Sequence, residues 1–235
     1  MAVNYGPSIV TNGLFLLVDA ANPRSYPGSG TAWNDLSGAG NNGTLQAAPA
    51  FSSGNGGYFS FNGTSQFVST TTPLITTTTT PYSVGVWFQT NTASGQKIIG
   101  FDLSQVTANN TEDRNLWVGT NGSLWFSQGQ LMANVTTTSS VVTNTWSYAV
   151  GTFSGTTQSL YLNGNLIGSN AATPSAFNTG GYWKIAYGSH SGWPSTGTNP
   201  GFWTGNIGAV QIYTVSLTQG QVTQNFNAHR GRFGI

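Results

Sequence analysis

The sequence predicts an all-β protein, a two-sheet antiparallel sandwich with one short C-terminal helix. Short runs in which apolar and small residues alternate, such as residues 146–152, are typical of strands with one buried face. These runs recur at short, even intervals with Gly- and Asn-rich turns between them, which is the pattern of a sandwich. No composition break divides the 235 residues, so we expect a single domain spanning residues 1–235.

The clearest strand signal lies in residues 146–168, WSYAVGTFSGTTQSLYLNGNLIG. Asn163-Gly164 separates two apolar runs, and both residues tolerate the positive φ that a type I′ turn requires. Ser154-Gly155 marks an earlier turn. The segment therefore predicts three successive antiparallel strands, which we place in the middle of a sheet.

Strand candidates precede this segment along the whole chain. The apolar residues 14–18 indicate a buried strand that ends at Asp19. Asn62-Gly63 is interpreted as a hairpin turn, because apolar runs lie on both sides of it. Residues 82–88 form another strand, in which alternation makes Trp87 face away from the main core, towards a second layer or a partner.

Tryptophans mark the next hairpin. Thr120-Asn121-Gly122 lies between the runs 116–118 and 124–126, which predicts two paired strands. We expect Trp117, Trp125 and Trp146 to be core residues, because strands with this alternation bury one face.

One helix is predicted near the C-terminus. Thr218 as N-cap and Gln221 three residues later form a capping box, and Val222 and Phe226 fall on one face of the helix. The helix should lie against the sandwich.

The tail formed by residues 226–235 has two interpretations that the sequence leaves open. Cations near a helix C-terminus are favoured by the helix dipole, which gives the tail a structural role. It could instead be an anchoring arm inserted into a neighbouring subunit. The candidate anchoring residues are His229, Arg230, Arg232 and Phe233.

Composition excludes several function classes. Only 5% of residues are charged and the formal net charge is +1, so nothing favours nucleic-acid or membrane-surface binding. With no cysteine there is no disulfide framework or thiolate metal site. The N-terminal sequence MAVNYGPSIV lacks the features of a signal peptide, so we expect synthesis and folding in the cytoplasm.

The acidic residues do not predict an enzyme. Glycoside hydrolysis needs two carboxyl groups that flank one bond, whereas the adjacent Glu112 and Asp113 would point to opposite sides of a strand. The two histidines, His190 and His229, do not accompany a nucleophile motif. We therefore predict a protein that is not an enzyme and has no cofactor.

Two segments carry a family resemblance. The order Trp, small-residue strand, Gly-Thr-Phe and Leu-Tyr-Leu-Asn-Gly in residues 146–164, and the run FWTGNIGAVQIY in residues 202–213, resemble the laminin-G/concanavalin A-like lectin fold. Residues 13–45 and 226–235 are similar to laminin-G-like proteins of tailed phages, many of which infect marine bacteria and cyanobacteria. The resemblance implies a jelly roll and a place on a phage particle. The E-x-D-x-x-E strand of the glucanases with this fold is not present.

The resemblance also implies that calcium is possible, because lectins of this superfamily often hold it with loop carboxylates and amides. The alternative is a polar loop in which Glu112 or Asp113 pairs with Arg114. The candidate ligands are Asp102, Asn110, Glu112 and Asp113.

The loop of residues 187–203 offers aromatic and polar groups with few aliphatic neighbours. A sugar could stack on an exposed aromatic ring there, and Trp193-Pro194 between Gly and Ser is not typical of deep core. The same ring could equally be a protein–protein hot spot. The contact candidates are His190, Trp193, Asn199 and Trp203.

Together these observations favour a non-enzymatic virion structural protein of a phage, a surface-exposed capsid decoration or cement subunit. Its partners would be the major capsid protein or tail components, and it could form a homo-oligomer. The alternative is a carbohydrate-binding adhesin, on a tail fibre or the capsid, that contacts host surface polysaccharide.

Overall fold

The computed structural model describes residues 7–75, 77, 79–108, 112–129, 134–171 and 180–235. Two antiparallel sheets form a sandwich, and one helix follows at the C-terminus, which confirms the predicted fold class. Strands are numbered in chain order. In the described part of the chain, no helix is long and apolar enough to cross a membrane.

The first sheet has eight strands, and its central strands β8 and β19 pair over most of their length. β1 pairs with the second half of β19, beside β5. In spatial order the strands are β15 (Asn165–Ala171), β14 (Thr157–Leu162), β13 (Ser147–Phe153), β8 (Tyr82–Gln89), β19 (Thr204–Tyr213), β5 (Tyr58–Asn62) and β4 (Ala50–Ser52), with β1 (Leu14–Asp19) beside β19.

The second sheet has nine strands, and β7 (Leu74–Ile75) pairs with β16 outside its main path. In spatial order the others are β12 (Val135–Ser140), β11 (Ser123–Ser127), β10 (Asp113–Val118), β9 (Gln96–Asp102), β16 (Gly180–Ile185), β6 (Phe67–Thr70), β3 (Gly43–Gln46) and β2 (Ala32–Trp33). A small separate pair consists of β17 (Tyr187–Gly188) and β18 (Gly201–Phe202), and a 3-10 turn spans Gly54–Gly56.

The main core lies between the two sheets and is rich in aromatic rings. Trp33 packs edge-on against Phe59 at 4.9 Å between ring centroids, and Trp183 packs in the same way against Phe101 at 5.4 Å. Trp33 comes from early in the chain and Trp183 from late in the chain, so both parts of the chain contribute to one core.

The Asn-Gly pairs at residues 163–164 and 62–63 behave differently. Asn163 and Gly164 have φ of 49° and 81° and join β14 to β15, as predicted for a type I′ hairpin. The strands β13, β14 and β15 are indeed consecutive neighbours, but they form one end of the first sheet and not its middle, because β15 has no further partner among the described strands.

Asn62-Gly63 was expected to turn a hairpin, and the structure shows this prediction to be wrong. β5 belongs to the first sheet and β6 to the second, so the segment is a crossover between sheets. The Asn62 carboxamide oxygen accepts hydrogen bonds from the amides of Thr64 and Ser65, which holds a local turn without pairing the strands.

The helix α1 spans Gln219–Phe233, and the capping box of Thr218 and Gln221 is present. The helix is longer than predicted and contains most of the tail. It covers the outer face of the first sheet, where Trp87 stacks on Phe226 and on Phe233 at 5.7 Å and 4.3 Å. Trp87 therefore faces a second layer, one of the two predicted alternatives.

Candidate functional site

The two tryptophans predicted as contact residues in the 187–203 loop are buried, which corrects the expectation that Trp193 is an exposed stacking platform. Trp193 and Trp203 are 5% and 0% exposed. Trp203 packs edge-on against Phe88 in the main core. Trp193 packs edge-on against Trp117 at 5.3 Å, and the Trp117 indole donates to the Pro194 carbonyl oxygen at 3.1 Å. Trp203 thus fixes the end of the loop in the main core, and the contact between Trp193 and Trp117 holds the loop against the second sheet.

Trp193 belongs to a small aromatic cluster on the outer face of the second sheet. Trp117 stacks on Trp125 at 5.7 Å between ring centroids. Trp117 and Trp146 are buried, as predicted, whereas Trp125 is only half-buried. Trp146 lies in the layer beneath α1 and not between the sheets.

His190 is also buried, at 2% exposure, and it connects two loops. Its Nε2 atom lies 2.8 Å from the Gly95 carbonyl oxygen, and its amide donates to the exposed Asn199 side-chain oxygen at 2.9 Å. Burial, with a smaller effect of Lys97, lowers the pKa of His190 to about 4. The imidazole is therefore neutral at pH 7, with its proton on Nε2, which donates to Gly95.

The two loops that His190 joins enclose a cavity of about 390 Å³ together with the β5–β6 crossover. This size lies at the lower end of the range for small-molecule sites. We call it the loop cavity. It is lined by Gly63, Thr64, Ser94, Gln96, Thr198, Pro200, Gly201 and Phe202.

The walls of the loop cavity combine hydroxyl groups with one aromatic ring. The Ser94 hydroxyl oxygen is buried and has no hydrogen-bond partner among the described residues. Thr64 and Thr198 are exposed. Phe202 is half-buried and stacks on Tyr187 at 4.3 Å between ring centroids, which fixes the orientation of its ring.

Other lining residues support the shape of the cavity. The Gln96 side chain accepts from the Thr204 amide at 2.7 Å and donates to the Thr204 hydroxyl at 3.1 Å, so it is held in place. A Cβ at Gly63 would lie 2.0 Å from the Thr204 hydroxyl oxygen, and one at Gly201 would lie 2.6 Å from His190 Nε2. These close approaches require glycine.

Sequence reasoning identified only one wall of this cavity. Residues 198–202 belong to the predicted contact loop, but Thr64, Ser94 and Gln96 come from segments far away in the chain. Serine and threonine are abundant throughout, so no local pattern could have distinguished these three.

The calcium candidates are bound to protein groups. Asp102 pairs with Lys184, and Asp113 pairs with Arg114, which agrees with the alternative to calcium. Glu112 accepts from the Ser189 amide at 2.8 Å. No group of three or more His, Cys, Asp or Glu side chains within the described ranges is arranged to hold a metal. Asn110 lies outside the described residues.

These charges are buried in two places. Lys184 and Asp102 alternate along their strands with the core residues Trp183 and Phe101, so they lie on the outer face of the second sheet. Arg114 instead lies over the core rings of Phe101 and Tyr82. Burial lowers the pKa of Lys97 to about 8, although the nearby Glu112 carboxylate favours the charged ammonium. Burial raises the pKa of Glu112 against the effect of Lys97. The Lys97 Nζ atom has no hydrogen-bond partner among the described groups. The cluster is thus a layer of buried polar groups beneath the loops.

The tail packs within this chain as part of α1, as the structural interpretation predicts, and its insertion into a neighbouring subunit stays a prediction. Phe233 is buried and Arg232 Nη1 contacts both carboxylate oxygens of Asp19 at 2.7 and 2.8 Å. Burial lowers the pKa of His229, which is half-buried. Arg230 is exposed and lies over the Phe226 ring at 5.7 Å.

A second concavity of about 310 Å³ lies between the edge strands β12 and β15. Thr136 to Val141 form one side, and Leu162, Leu166 and Ile167 form the other. None of its described lining residues is aromatic, and the concavity is more apolar on the β15 side.

Residues 61–223 match the family model of the concanavalin A-like lectin/glucanases superfamily, Laminin_G_3. The chain belongs to this superfamily. No curated protein matches the chain significantly.

Solved structures share the fold at low sequence identity. Domain 4 of AbnA, a GH43 extracellular arabinanase from Geobacillus stearothermophilus, in complex with arabinotriose, is 17% identical with a TM-score of 0.66. The alignment covers 91% of this chain and 98% of that domain.

Toxin binding domains are similar as well. The binding domain of botulinum neurotoxin DC in complex with SialylT is 13% identical, with a TM-score of 0.66 over 92% of this chain and 52% of that one. The binding domain of Paraclostridial Mosquitocidal Protein 1 is 12% identical, with a TM-score of 0.65 over 92% and 52%. The chain thus spans about half the length of these toxin domains.

Proposed function

We propose that this protein is a carbohydrate-binding domain and that the loop cavity holds the sugar. The observation that carries the proposal is the loop cavity itself, in which the fixed Phe202 ring lies beside the exposed residues Thr64 and Thr198. An aromatic ring next to hydroxyl groups is an arrangement that can bind both the apolar face and the hydroxyl groups of a sugar.

Each of these groups matches one part of a sugar. The fixed Phe202 ring presents a surface for the apolar face of a pyranose or furanose, and Thr64 and Thr198 offer hydroxyl groups at the rim. The lining residues include no titratable side chain, so the site is suited to binding and not to acid–base chemistry.

The comparisons support this function at the level of the family. The arabinanase domain was solved with arabinotriose and one toxin domain with SialylT. We carry over from them only the general role of a saccharide-binding module.

A role on the surface of a phage particle is the finer part of the proposal and rests on the sequence resemblance alone. Glycan binding suits the adhesin alternative better than the decoration subunit. The tail proposed as a capsid anchor packs over Trp87 of its own chain. Immunogold labelling of phage particles with antibody against the chain would test this location. Label at the tail tip or fibres is expected, and absence of the protein from purified particles would contradict it.

Isothermal titration with a panel of oligosaccharides that includes arabinotriose tests the binding itself. Thr198→Trp should abolish binding, because the indole fills the loop cavity from an exposed position. Thr138→Trp is the matched control, since this exposed threonine lies in the β12–β15 concavity. Binding that survives Thr198→Trp unchanged would contradict the assigned site.

A further inference from the structure

The charged residues of the chain are placed away from the loop cavity. All six Lys and Arg residues and all five Asp and Glu residues fall within the described ranges, and none of them lines the cavity. Lys97, Arg114 and Lys184 are buried, and Arg232 is paired with Asp19.

Two cations remain exposed, and both belong to other parts of the surface. Arg24 lies in the loop that follows β1. Arg230 lies on α1, which covers the first sheet. Neither side chain is among the residues that form the cavity.

An anionic sugar would therefore enter the loop cavity without a counter-charge. Its carboxylate would lose part of its water in this partly open cavity, and the groups available to it would be hydroxyls and the Phe202 ring. Transfer of an ionised group to a site without an opposite charge is strongly unfavourable. A neutral hydroxymethyl group at the same position has no such cost.

We infer that the ligand of the loop cavity is a neutral saccharide, and that sugars carrying uronate, sialate or sulfate groups are excluded from it. This inference rests on the proposed function and specifies its ligand class. Recognition depends on hydrogen bonds to the exposed Thr64 and Thr198 hydroxyls and on stacking at Phe202, and it is insensitive to salt.

Matched oligosaccharides that differ only in oxidation of the hydroxymethyl group provide the direct test. Galacto-oligosaccharides are compared with oligogalacturonates, manno-oligosaccharides with oligomannuronates and gluco-oligosaccharides with oligoglucuronates. Titration at low and at high sodium chloride should show binding of at least one neutral series. Its acidic counterpart should bind at least about tenfold more weakly, as expected for loss of ~1.4 kcal/mol or more.

A cation introduced at the cavity should reverse the preference. Thr198→Lys places an ammonium at the exposed rim, and the acidic counterpart should then gain affinity at low salt and lose it at high salt. Thr138→Lys, which adds the same charge in the β12–β15 concavity, should leave the preference unchanged.

The outcomes separate the inference from the proposed function. Acidic sugars that bind the unmodified protein as well as their neutral counterparts would overturn the inference and leave glycan binding intact. Failure of every neutral and acidic sugar to bind would overturn the proposed function and the inference with it. Neutral binding that Thr198→Lys redirects towards acidic sugars supports both.

Discussion

The outer faces of the two sheets are covered in contrasting ways. On the eight-stranded sheet, α1 lays Phe226 and Phe233 over Trp87 and Tyr148 in an apolar second layer. On the nine-stranded sheet, loops cover the outer face, and the buried groups beneath them are mixed. The Lys184–Asp102 pair lies there as well as the contact between Trp117 and Trp193.

The helix-covered sheet therefore contributes stability, whereas the loop-covered sheet carries the proposed binding site. The helix buries apolar area, so it belongs to the cooperative core of the domain. The loops are held at single points, such as the Trp193–Trp117 contact and the His190–Gly95 hydrogen bond, which allows their exposed parts to vary in sequence without loss of the sandwich. The loop cavity is built on this second kind of cover, where His190 fixes one wall to another.

Deletion of residues 226–235 should have the largest effect. It removes Phe226 and Phe233, and loss of each buried phenylalanine costs about 3–5 kcal/mol. Since domains are stable by about 5–15 kcal/mol, the truncated chain should be unfolded or nearly so. Thermal melts followed by near-UV circular dichroism test this. Ile235→Ala, at an exposed position, is the control, and a truncated chain with native melting would show that the helix is dispensable.

Breaking the buried ion pair should have the next largest effect. Lys184→Met leaves the Asp102 carboxylate buried without its ammonium partner, which typically costs about 3–5 kcal/mol. The double variant Lys184→Met/Asp102→Leu should recover part of this loss in urea unfolding. A double variant that is less stable than Lys184→Met would mean that the two residues act independently.

The two ways in which the sheets are covered also explain which structural features could be predicted from the sequence. The strand that places Trp87 outward and the capping box at Thr218 are local patterns, and both are present in the structure. The role of Asn62-Gly63 was mistaken, because a turn signal does not say whether the next strand stays in the same sheet. Trp193 appeared exposed from its neighbours in sequence, but Trp117 from another strand buries it.

The ion pair between Arg232 and Asp19 tests how α1 is fixed at its C-terminal end. Arg232→Ala removes charge-assisted hydrogen bonds, each of which contributes about 1.5–3 kcal/mol in favourable cases, and partial exposure reduces this value. We expect a lower urea midpoint than for Arg24→Ala, a change at an exposed position. Equal midpoints for the two variants would show that the Arg232–Asp19 pair does not stabilise the fold.

The pH dependence of stability should be the smallest effect, and it arises from His190 on the loop-covered sheet. The pKa of His190 is lowered to about 4 in the folded protein from an ordinary value of 6.5. Between these values the unfolded chain binds more protons, so stability falls as the pH falls from about 6.5 towards about 4.

His190→Gln keeps a donor for Gly95 but does not titrate. Relative to this variant, the unmodified protein should lose about 1–2 kcal/mol between about pH 7 and about pH 5. Urea unfolding at both pH values measures the difference, and the effects of Glu112 and His229 cancel because both proteins contain them. A difference that does not change with pH would contradict the neutral, buried state of His190.

The position of a bound sugar tests the central claim most directly. A crystal structure of the protein with the neutral oligosaccharide that binds most tightly should show a sugar ring against Phe202, with a hydroxyl group hydrogen-bonded to Thr64 or Thr198. A sugar ordered elsewhere, such as the β12–β15 concavity, with the loop cavity filled only by water, would contradict the account.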